Sequence, residues 1–108
     1  MVLKKELKML TGEAVRVGVT NQDIFRANDD FCPITKAVSR VLKEDSENIQ
    51  IQRKAIFIFD EYDQKKDVYL YEDEHEEKII QFLDSWDRYL CGSNESFNPF
   101  QFSLTRRQ

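Results

Sequence analysis

The residue best placed for covalent chemistry is Cys32, which directly precedes Pro33. Proline suits the first residue of a helix, because its missing N–H would have no partner there. Cys32 is therefore predicted at a helix N-terminus, where partial positive charge can lower the pKa of a thiol and favour the nucleophilic thiolate. A small side chain that packs where the helix enters the core is the favoured alternative, since no cysteine or histidine lies nearby in the sequence. Cys32 is thus a candidate reactive thiol or a structural residue.

Other catalytic residues find little support. The single histidine, His75, lies among five acidic residues and is predicted to be a solvated residue in the first turn of a helix. The serines stand outside any G-x-S-x-G context, and three glycines in the whole chain leave no glycine-rich phosphate loop. The sequence predicts no catalytic residue and no cofactor, and it favours a protein that is not an enzyme.

Carboxylates cluster in two segments and raise the question of a divalent-cation site. Their spacing does not match the EF-hand pattern, which requires D-x-[DN]-x-[DN]-G and a glutamate at the twelfth position. An exposed hairpin turn and an acidic helix start account for them instead. No metal site is therefore predicted, and weak calcium or magnesium binding is a minor alternative. The two sets are Asp60, Glu61, Asp63 and Asp67, and Glu72, Asp73, Glu74, Glu76 and Glu77.

Alternating aromatic residues predict an apolar face on a sheet. If Ile56 and Ile58 face the helices, the aromatic neighbours in the same strand point to the opposite face. Tyrosines of the next strand are expected beside them. A large exposed apolar face is best explained by burial against a partner protein or a second subunit. The candidate interaction face consists of Phe57, Phe59, Tyr69 and Tyr71.

Single-stranded nucleic acid is a weaker alternative for the same face. The segment RKAIFIFD matches the RNA-recognition RNP1 pattern only at Arg53, Phe57 and Ile58. It lacks the glycine of that pattern and has Asp60 where an aromatic residue belongs. The chain is also acidic, with a net charge of −4, so it offers no broad field that would gather a polyanion.

The elements that position these residues follow from apolar periodicity. Valines at every second position predict a strand over residues 14–20, and Thr20 with Asp23 resembles a capping box for a short helical turn. Apolar residues at i, i+3, i+4, i+7 and i+8 predict an amphipathic helix over residues 34–42. Short strands are predicted over residues 49–52 and, fully apolar and interior, over residues 55–59.

The second half of the chain predicts a hairpin, a long helix and a closing strand. Residues 60–67 form a charged connection, after which residues 68–71 are expected to pair with the preceding strand. The helix begins at the acidic segment and ends at Gly92. A strand over residues 100–104 is expected at a sheet edge, because Pro99 precedes it. The apolar stripe of the helix is Ile79, Ile80, Phe82, Leu83, Trp86, Tyr89 and Leu90.

These elements predict a two-layer α+β fold, with two main helices on one face of a mostly antiparallel sheet. A ferredoxin-like (split βαβ) arrangement with an extra hairpin is one candidate for the strand order. The 108 residues suit one domain, and 41% apolar residues supply enough material for its core. No repeat or low-complexity linker divides the chain.

The composition also predicts a cytoplasmic protein. The first ten residues alternate charged with apolar residues and lack the apolar stretch of a secretory signal. No apolar run of about 18 residues occurs, so no membrane span is expected. Cys32 and Cys91 are expected to be reduced thiols, with a disulfide between them as the alternative.

Three stretches, FCPITKAVSRVL, IIQFLDSWD and PFQFSL, resemble a group of small uncharacterised bacterial and phage proteins. The resemblance covers residues 15–104 and brings no activity with it. This chain differs in its acidic segment 60–77 and in its N-terminal segment. The resemblance implies that the matching positions determine the fold; these are Cys32, Pro33, Asp87, Pro99, Phe100 and Phe102.

Three hypotheses on function follow. The favoured one is a noncatalytic protein-interaction or regulatory module, of phage origin in one version, that binds a protein through the sheet face or an acidic rim and can self-associate. The first alternative is a small thiol-dependent or redox protein that uses Cys32. The second alternative binds single-stranded nucleic acid through the sheet aromatics.

Overall fold

The computed structural model describes residues 14–28 and 30–107, which contain five strands and three α-helices. A single 3₁₀ turn, Ser46–Asn48, precedes the second strand. The helices are α1 (Asn21–Arg26), α2 (Pro33–Leu42) and α3 (Asp73–Leu90). The strands are β1 (Ala14–Val19), β2 (Ile49–Ile51), β3 (Ala55–Phe59), β4 (Lys65–Tyr71) and β5 (Phe100–Arg107).

The short helix α1 begins at the predicted capping box. The backbone N–H of Asp23 donates to the Thr20 hydroxyl at 3.2 Å, and the backbone N–H of Thr20 donates to the Asp23 carboxylate at 2.9 Å. Two backbone donors that the first turn leaves without a helical partner are satisfied in this way. The prediction of a helical turn here is confirmed.

The amphipathic helix α2 begins at Pro33, with Cys32 as its N-cap, as predicted. Ile34, Ala37 and Val38 on one side of the helix are fully buried. The helix ends at Lys43, whose φ of 57° is left-handed, and the Lys43 N–H donates to the Ser39 carbonyl. The apolar stripe therefore faces the core, and the helix ends without a glycine.

The long helix α3 covers the same core. Ile79 is fully buried and Trp86 is buried, while Phe82 and Leu83 pack partly buried against the core. After the helix, Gly92 has a φ of 101°, a conformation that residues with a Cβ rarely adopt. The predicted stop at Gly92 is confirmed.

The five strands form one antiparallel sheet in the order β1-β5-β4-β3-β2. With all neighbours antiparallel, the edge strands β1 and β2 run parallel and are separated by three strands, whereas a split βαβ unit has one strand between its parallel pair. The second half differs from a split βαβ unit, because β4 and β5 are joined by α3 and lie directly side by side. The two-layer α+β architecture is confirmed.

Two strand predictions need correction. The closing strand β5 lies between β1 and β4 and is not at an edge. Pro99 is compatible with this position because it precedes the first residue of the strand and takes no place in the ladder. Strand β4 begins at Lys65, three residues before the predicted start, and a β-bulge interrupts its pairing with β3 between Ile58 and Phe59.

One face of the sheet packs against α2 and α3. Val17 and Phe102 are cross-strand partners on this face, and both are buried. Side chains of the two helices join them in one apolar cluster, which makes this face the core. The fully buried members from the sheet and helices are Val17, Ile34, Ala37, Val38, Ile56, Ile58, Ile79 and Leu104.

None of the helices in residues 14–28 and 30–107 combines the length and the apolar character that a membrane span requires.

Candidate functional site

The face of the sheet turned away from α2 and α3 carries an apolar patch. Phe57 lies opposite Val68 in the β3–β4 ladder, and Leu70 lies opposite Ala55. Leu70 is 39% exposed, Phe57 and Val68 are half-buried, and Ala55 is buried at 8% exposure. These side chains alternate with core residues, so the pleat places them on the other side of the sheet. We call this surface, defined by Ala55, Phe57, Val68 and Leu70, the open face.

The four aromatic residues predicted to share an interaction face are divided between the two faces. Phe57 lies on the open face, and Phe59, at the bulge, is half-buried. Tyr69 and Tyr71 lie on the core face, because Tyr69 pairs with the buried Ile56 and the alternation then repeats at Tyr71. The prediction that all four residues share one face is therefore wrong. The face of each tyrosine depends on the pairing register of β3 and β4, and the sequence spacing does not determine that register.

Tyr71 has a structural role. Its side chain is 6% exposed, and its hydroxyl donates to the backbone carbonyl of Gln52 at 2.9 Å. Burial raises the pKa of the Tyr71 hydroxyl above its ordinary range, so it stays a neutral donor. Its ring meets Phe102 edge-on, with centroids 6.1 Å apart. Tyr71 is therefore part of the core and is not available to a partner.

Three cations lie on the open face, two of them next to its apolar patch. The Lys65 ammonium lies over the Phe57 ring, 4.5 Å from its centroid. Arg107 is the cross-strand partner of Val68. Arg16, which alternates with buried Val17, donates to the Gln101 side chain at 3.3 Å. The open face thus combines apolar side chains with positive charge, although the chain as a whole is acidic.

A groove lies on the opposite side of the molecule, where α2, β2 and the C-terminal half of α3 meet. Its volume is about 330 Å³. Three carboxylates, from Asp30, Glu47 and Asp87, stand along it. We call it the helix groove; its apolar floor consists of Ile49, Ile51, Leu83, Trp86 and Leu90.

Cys32, the candidate reactive thiol, also lines the helix groove. Its sulfur lies 3.4 Å from the Thr35 hydroxyl, and its side chain makes no capping hydrogen bond to α2. Cys32 and Cys91 are free cysteines, half-buried and exposed respectively. Thr35 is no base at neutral pH, so the hydrogen-bonding neighbour of the thiol is not a residue that would activate it as a nucleophile.

His75 is more constrained than predicted. Its Nδ1 accepts a hydrogen bond from the backbone N–H of Ser103 at 3.2 Å, and its side chain is only 23% exposed. The bond connects the first turn of α3 to β5 just beyond the end of β4, where Ser103 has no strand partner on that side. A sequence separation of 28 residues hides this contact from any local pattern. The prediction of a freely solvated histidine is therefore corrected.

The group formed by Glu72, Glu74 and His75 has the residue types of a cation site, with ligand atoms within 4.8 Å of one another. The lone pair of His75 Nδ1 is already used by the Ser103 N–H. In the neutral ring Nε2 then carries the proton, so neither nitrogen is free to bind a metal. These residues are better described as an acidic helix start around a structural histidine.

Sequence reasoning did not anticipate the helix groove. Its walls come from three segments that are distant in the chain, and only the apolar stripe containing Leu83, Trp86 and Leu90 was visible beforehand. The sequence shows that this stripe extends to Leu90, but only the structure shows that Leu90 is 41% exposed there.

Comparison of the chain with protein-family models, with curated proteins and with solved structures found no match in any of the three.

Proposed function

We propose that this chain is a noncatalytic protein-interaction module that binds its partner through the open face of the sheet. The observation that carries the proposal is the one-sided arrangement of the fold. Both main helices pack on the core face, while Phe57, Val68 and Leu70 lie on the other face with partial exposure. Apolar side chains grouped in this way favour burial against another protein.

The charges of the open face indicate the chemistry of the partner. Lys65 and Arg107 adjoin the apolar patch, and Arg16 lies on the same face in β1, so a partner with acidic residues beside an apolar centre would complement it. Face-to-face dimerisation of the chain would bring these cations together. Self-association through this face is therefore the weaker version of the proposal.

Nucleic acid is less well supported than protein. The ring of Phe57 would have to stack on a base, but the Lys65 ammonium already lies over it at 4.5 Å. Tyr69 and Tyr71, which would extend an aromatic platform, lie on the core face. For the thiol-dependent alternative, the Cys32 sulfur has the Thr35 hydroxyl as its hydrogen-bonding neighbour within the described residues, and no histidine lines the groove.

The setting of this function is part of the proposal. Two free cysteines suit a reducing compartment such as the cytoplasm. The resemblance to small bacterial and phage proteins supports a bacterial or phage context.

The test is a comparison of surface variants with a purified partner. Proteins captured from the native host by the wild-type chain are identified, purified and titrated by calorimetry. Leu70→Glu on the open face is expected to weaken binding about tenfold or more, because it places a carboxylate in a desolvated apolar contact. Gln81→Glu, on the exposed side of α3, is the matched control and should leave the affinity unchanged.

Three results would contradict the proposal. The first is a partner that binds Leu70→Glu as tightly as wild type, and the second is capture of nucleic acid in place of protein. The third is a large fall in the thermal midpoint of Leu70→Glu, which would show that Leu70 stabilises the fold and is not free to bind a partner. Light scattering tests the dimer version separately. A strict monomer at micromolar concentration removes that version and leaves the partner-binding version intact.

A further inference from the structure

The helix groove is chemically distinct from the open face. Its floor is apolar, whereas Asp30, Glu47 and Asp87 stand along its edge. All three side chains are exposed, and within the described residues none of them makes an ion pair. No lysine or arginine of the described chain lines the groove. The Lys36 ammonium lies 5.1 Å from the ring centroid of Phe31, which lines the groove, so the groove presents three carboxylates and one nearby cation next to apolar surface.

The floor of the groove is accessible to a ligand. Leu90 is 41% exposed at the end of α3, and Ile51 and Leu83 are half-buried. Trp86 beside them is only 7% exposed, so it lines the groove but presents little of its indole ring to a ligand. Aromatic and aliphatic side chains in a concave site of this kind provide most of the binding energy for an apolar group.

The size of the groove limits its occupant. A volume of about 330 Å³ lies at the small end of the range for ligand pockets. It accommodates a few side chains and not a folded domain. A short extended or helical segment that presents one or two apolar side chains fits this size.

We propose that the helix groove binds a short cationic segment of a partner protein, with one or two aliphatic side chains on the floor and lysine or arginine residues beside Asp30, Glu47 and Asp87. This is a second contact surface, on different residues from those of the open face. The open face carries cations and the helix groove carries carboxylates. A cationic segment is therefore attracted to the groove and repelled by the open face, and an acidic segment behaves in the opposite way.

Trp86 makes the groove directly observable, since it is the only tryptophan of the chain. The probe is the synthetic peptide GKKLLKKG, added to the whole protein at low ionic strength while Trp86 emission is recorded. A saturable change in emission is expected. GEELLEEG and GKKSSKKG are the matched peptides, and neither should produce the change, because one lacks the charge and the other lacks the apolar side chains.

Charge-reversal variants test the acidic edge. Glu47→Lys combined with Asp87→Lys is expected to raise the Kd of GKKLLKKG about tenfold or more. Glu61→Lys combined with Glu77→Lys changes the net charge equally, at exposed positions outside the groove, and should change the Kd less than about twofold. Leu90→Ser tests the floor and should also weaken binding.

Cys32 supplies a second readout. In a Cys91→Ser background, GKKLLKKG should slow the alkylation of the half-buried Cys32 thiol, because the peptide covers the groove that Cys32 lines. GKKSSKKG should not slow it.

Several outcomes would overturn the proposal: no change in Trp86 emission, equal binding of GKKSSKKG, or equal weakening by the two charge-reversal pairs. Leu70→Glu distinguishes this proposal from the first, since the open-face variant should bind GKKLLKKG like wild type. The groove proposal can therefore fail or hold independently of the open-face proposal.

Discussion

Asp23 connects three elements through one carboxylate. It caps α1 through Thr20, and it accepts a hydrogen bond from Arg40 Nη2 of α2 at 2.9 Å. Arg40 Nη2 also donates to the Gly18 carbonyl of β1 at 2.8 Å. Burial of the 8% exposed side chain raises the pKa of Asp23, but the hydrogen bonds from Arg40 and Thr20 lower it more, so the pKa lies below its ordinary value of 3.8.

Asp23→Asn is expected to lower the free energy of unfolding at pH 7 by about 1–3 kcal/mol, because it removes a charge-assisted hydrogen bond from a buried site. The folded-state pKa is depressed, so the contribution of the carboxylate is complete above the unfolded-state pKa and is lost as pH falls through the folded value. Urea denaturation from pH 7 to pH 3 should show that the difference in unfolding free energy between wild type and variant becomes smaller below about pH 4.

The control for Asp23 is Asp87→Asn, an exposed carboxylate that makes no ion pair within the described residues. It should change stability by less than about 0.5 kcal/mol. If the difference in unfolding free energy between wild type and Asp23→Asn stays constant from pH 7 to pH 3, the ionised carboxylate does not have this stabilising role.

Tyr71→Phe isolates the hydrogen bond between the Tyr71 hydroxyl and the Gln52 carbonyl. The ring remains in place and the Gln52 carbonyl loses its donor at a part-buried site, so the expected cost is about 1 kcal/mol. Tyr62→Phe is the matched control, because Tyr62 is 75% exposed and should be neutral. Chemical denaturation of both variants checks the difference, and an equal effect would show that the Tyr71 hydrogen bond does not stabilise the fold.

These residues show which contacts a sequence reveals. The Thr20–Asp23 cap was predictable because its partners are three positions apart and follow a known local pattern. Arg40 lies 17 positions from Asp23, and His75 lies 28 positions from Ser103. No local pattern encodes such pairs, since they depend on how the elements pack.

At the scale of elements, helix ends were predictable where the chain uses glycine. Gly92 follows α3 with a positive φ, as expected of a C-terminal glycine. Helix α2 reaches the same left-handed conformation at Lys43, which its side chain disfavours. The end of α2 therefore carries backbone strain that the sequence alone did not indicate.

Lys43→Gly is expected to stabilise the protein by about 0.5–1 kcal/mol, because glycine adopts the left-handed conformation without the Cβ clash. The same substitution at Lys36, in the interior of α2, should destabilise it by about 1 kcal/mol. Thermal unfolding of the two variants gives the comparison. Shifts of the same sign would show that Lys43 is not strained.

Strand β4 shows why element boundaries were harder to predict. Charged residues at 65–67 read as a turn, yet they belong to the strand. Lys66 pairs with Glu44 at 3.0 Å, and Asp67 pairs with Arg106 at 3.0 Å. Ion pairs with Glu44, which follows α2, and with Arg106 of β5 make these charged residues compatible with the strand. Neither partner can be identified from the local sequence.

At the scale of the whole molecule, the two apolar stripes of α2 and α3 were enough to predict a two-layer fold. Each stripe needs an apolar surface to cover it, and the alternating strands supply one shared face. The order of the strands was not predictable in this way. It depends on pairings such as that of β1 with β5, which joins residues more than 80 positions apart.

Because both main helices cover the same face of the sheet, two phenylalanines on opposite faces should differ in their contribution to stability. Phe102 is 1% exposed on the core face, so Phe102→Ala should cost about 3–5 kcal/mol of unfolding free energy through lost burial and a cavity. Phe57→Ala on the open face should cost about 1–2 kcal/mol, since it removes a half-buried ring and its contact with Lys65.

Equilibrium denaturation in urea measures both effects, and Phe102→Leu replaces Phe102→Ala if the alanine variant does not fold. The difference between the two positions measures how far the free chain leaves Phe57 in contact with water. Addition of a bound partner should then raise the cost of Phe57→Ala toward that of a core residue, because binding is coupled to stability. If Phe57→Ala alone already costs as much as Phe102→Ala, the open face is covered within the free chain and is not available to a partner.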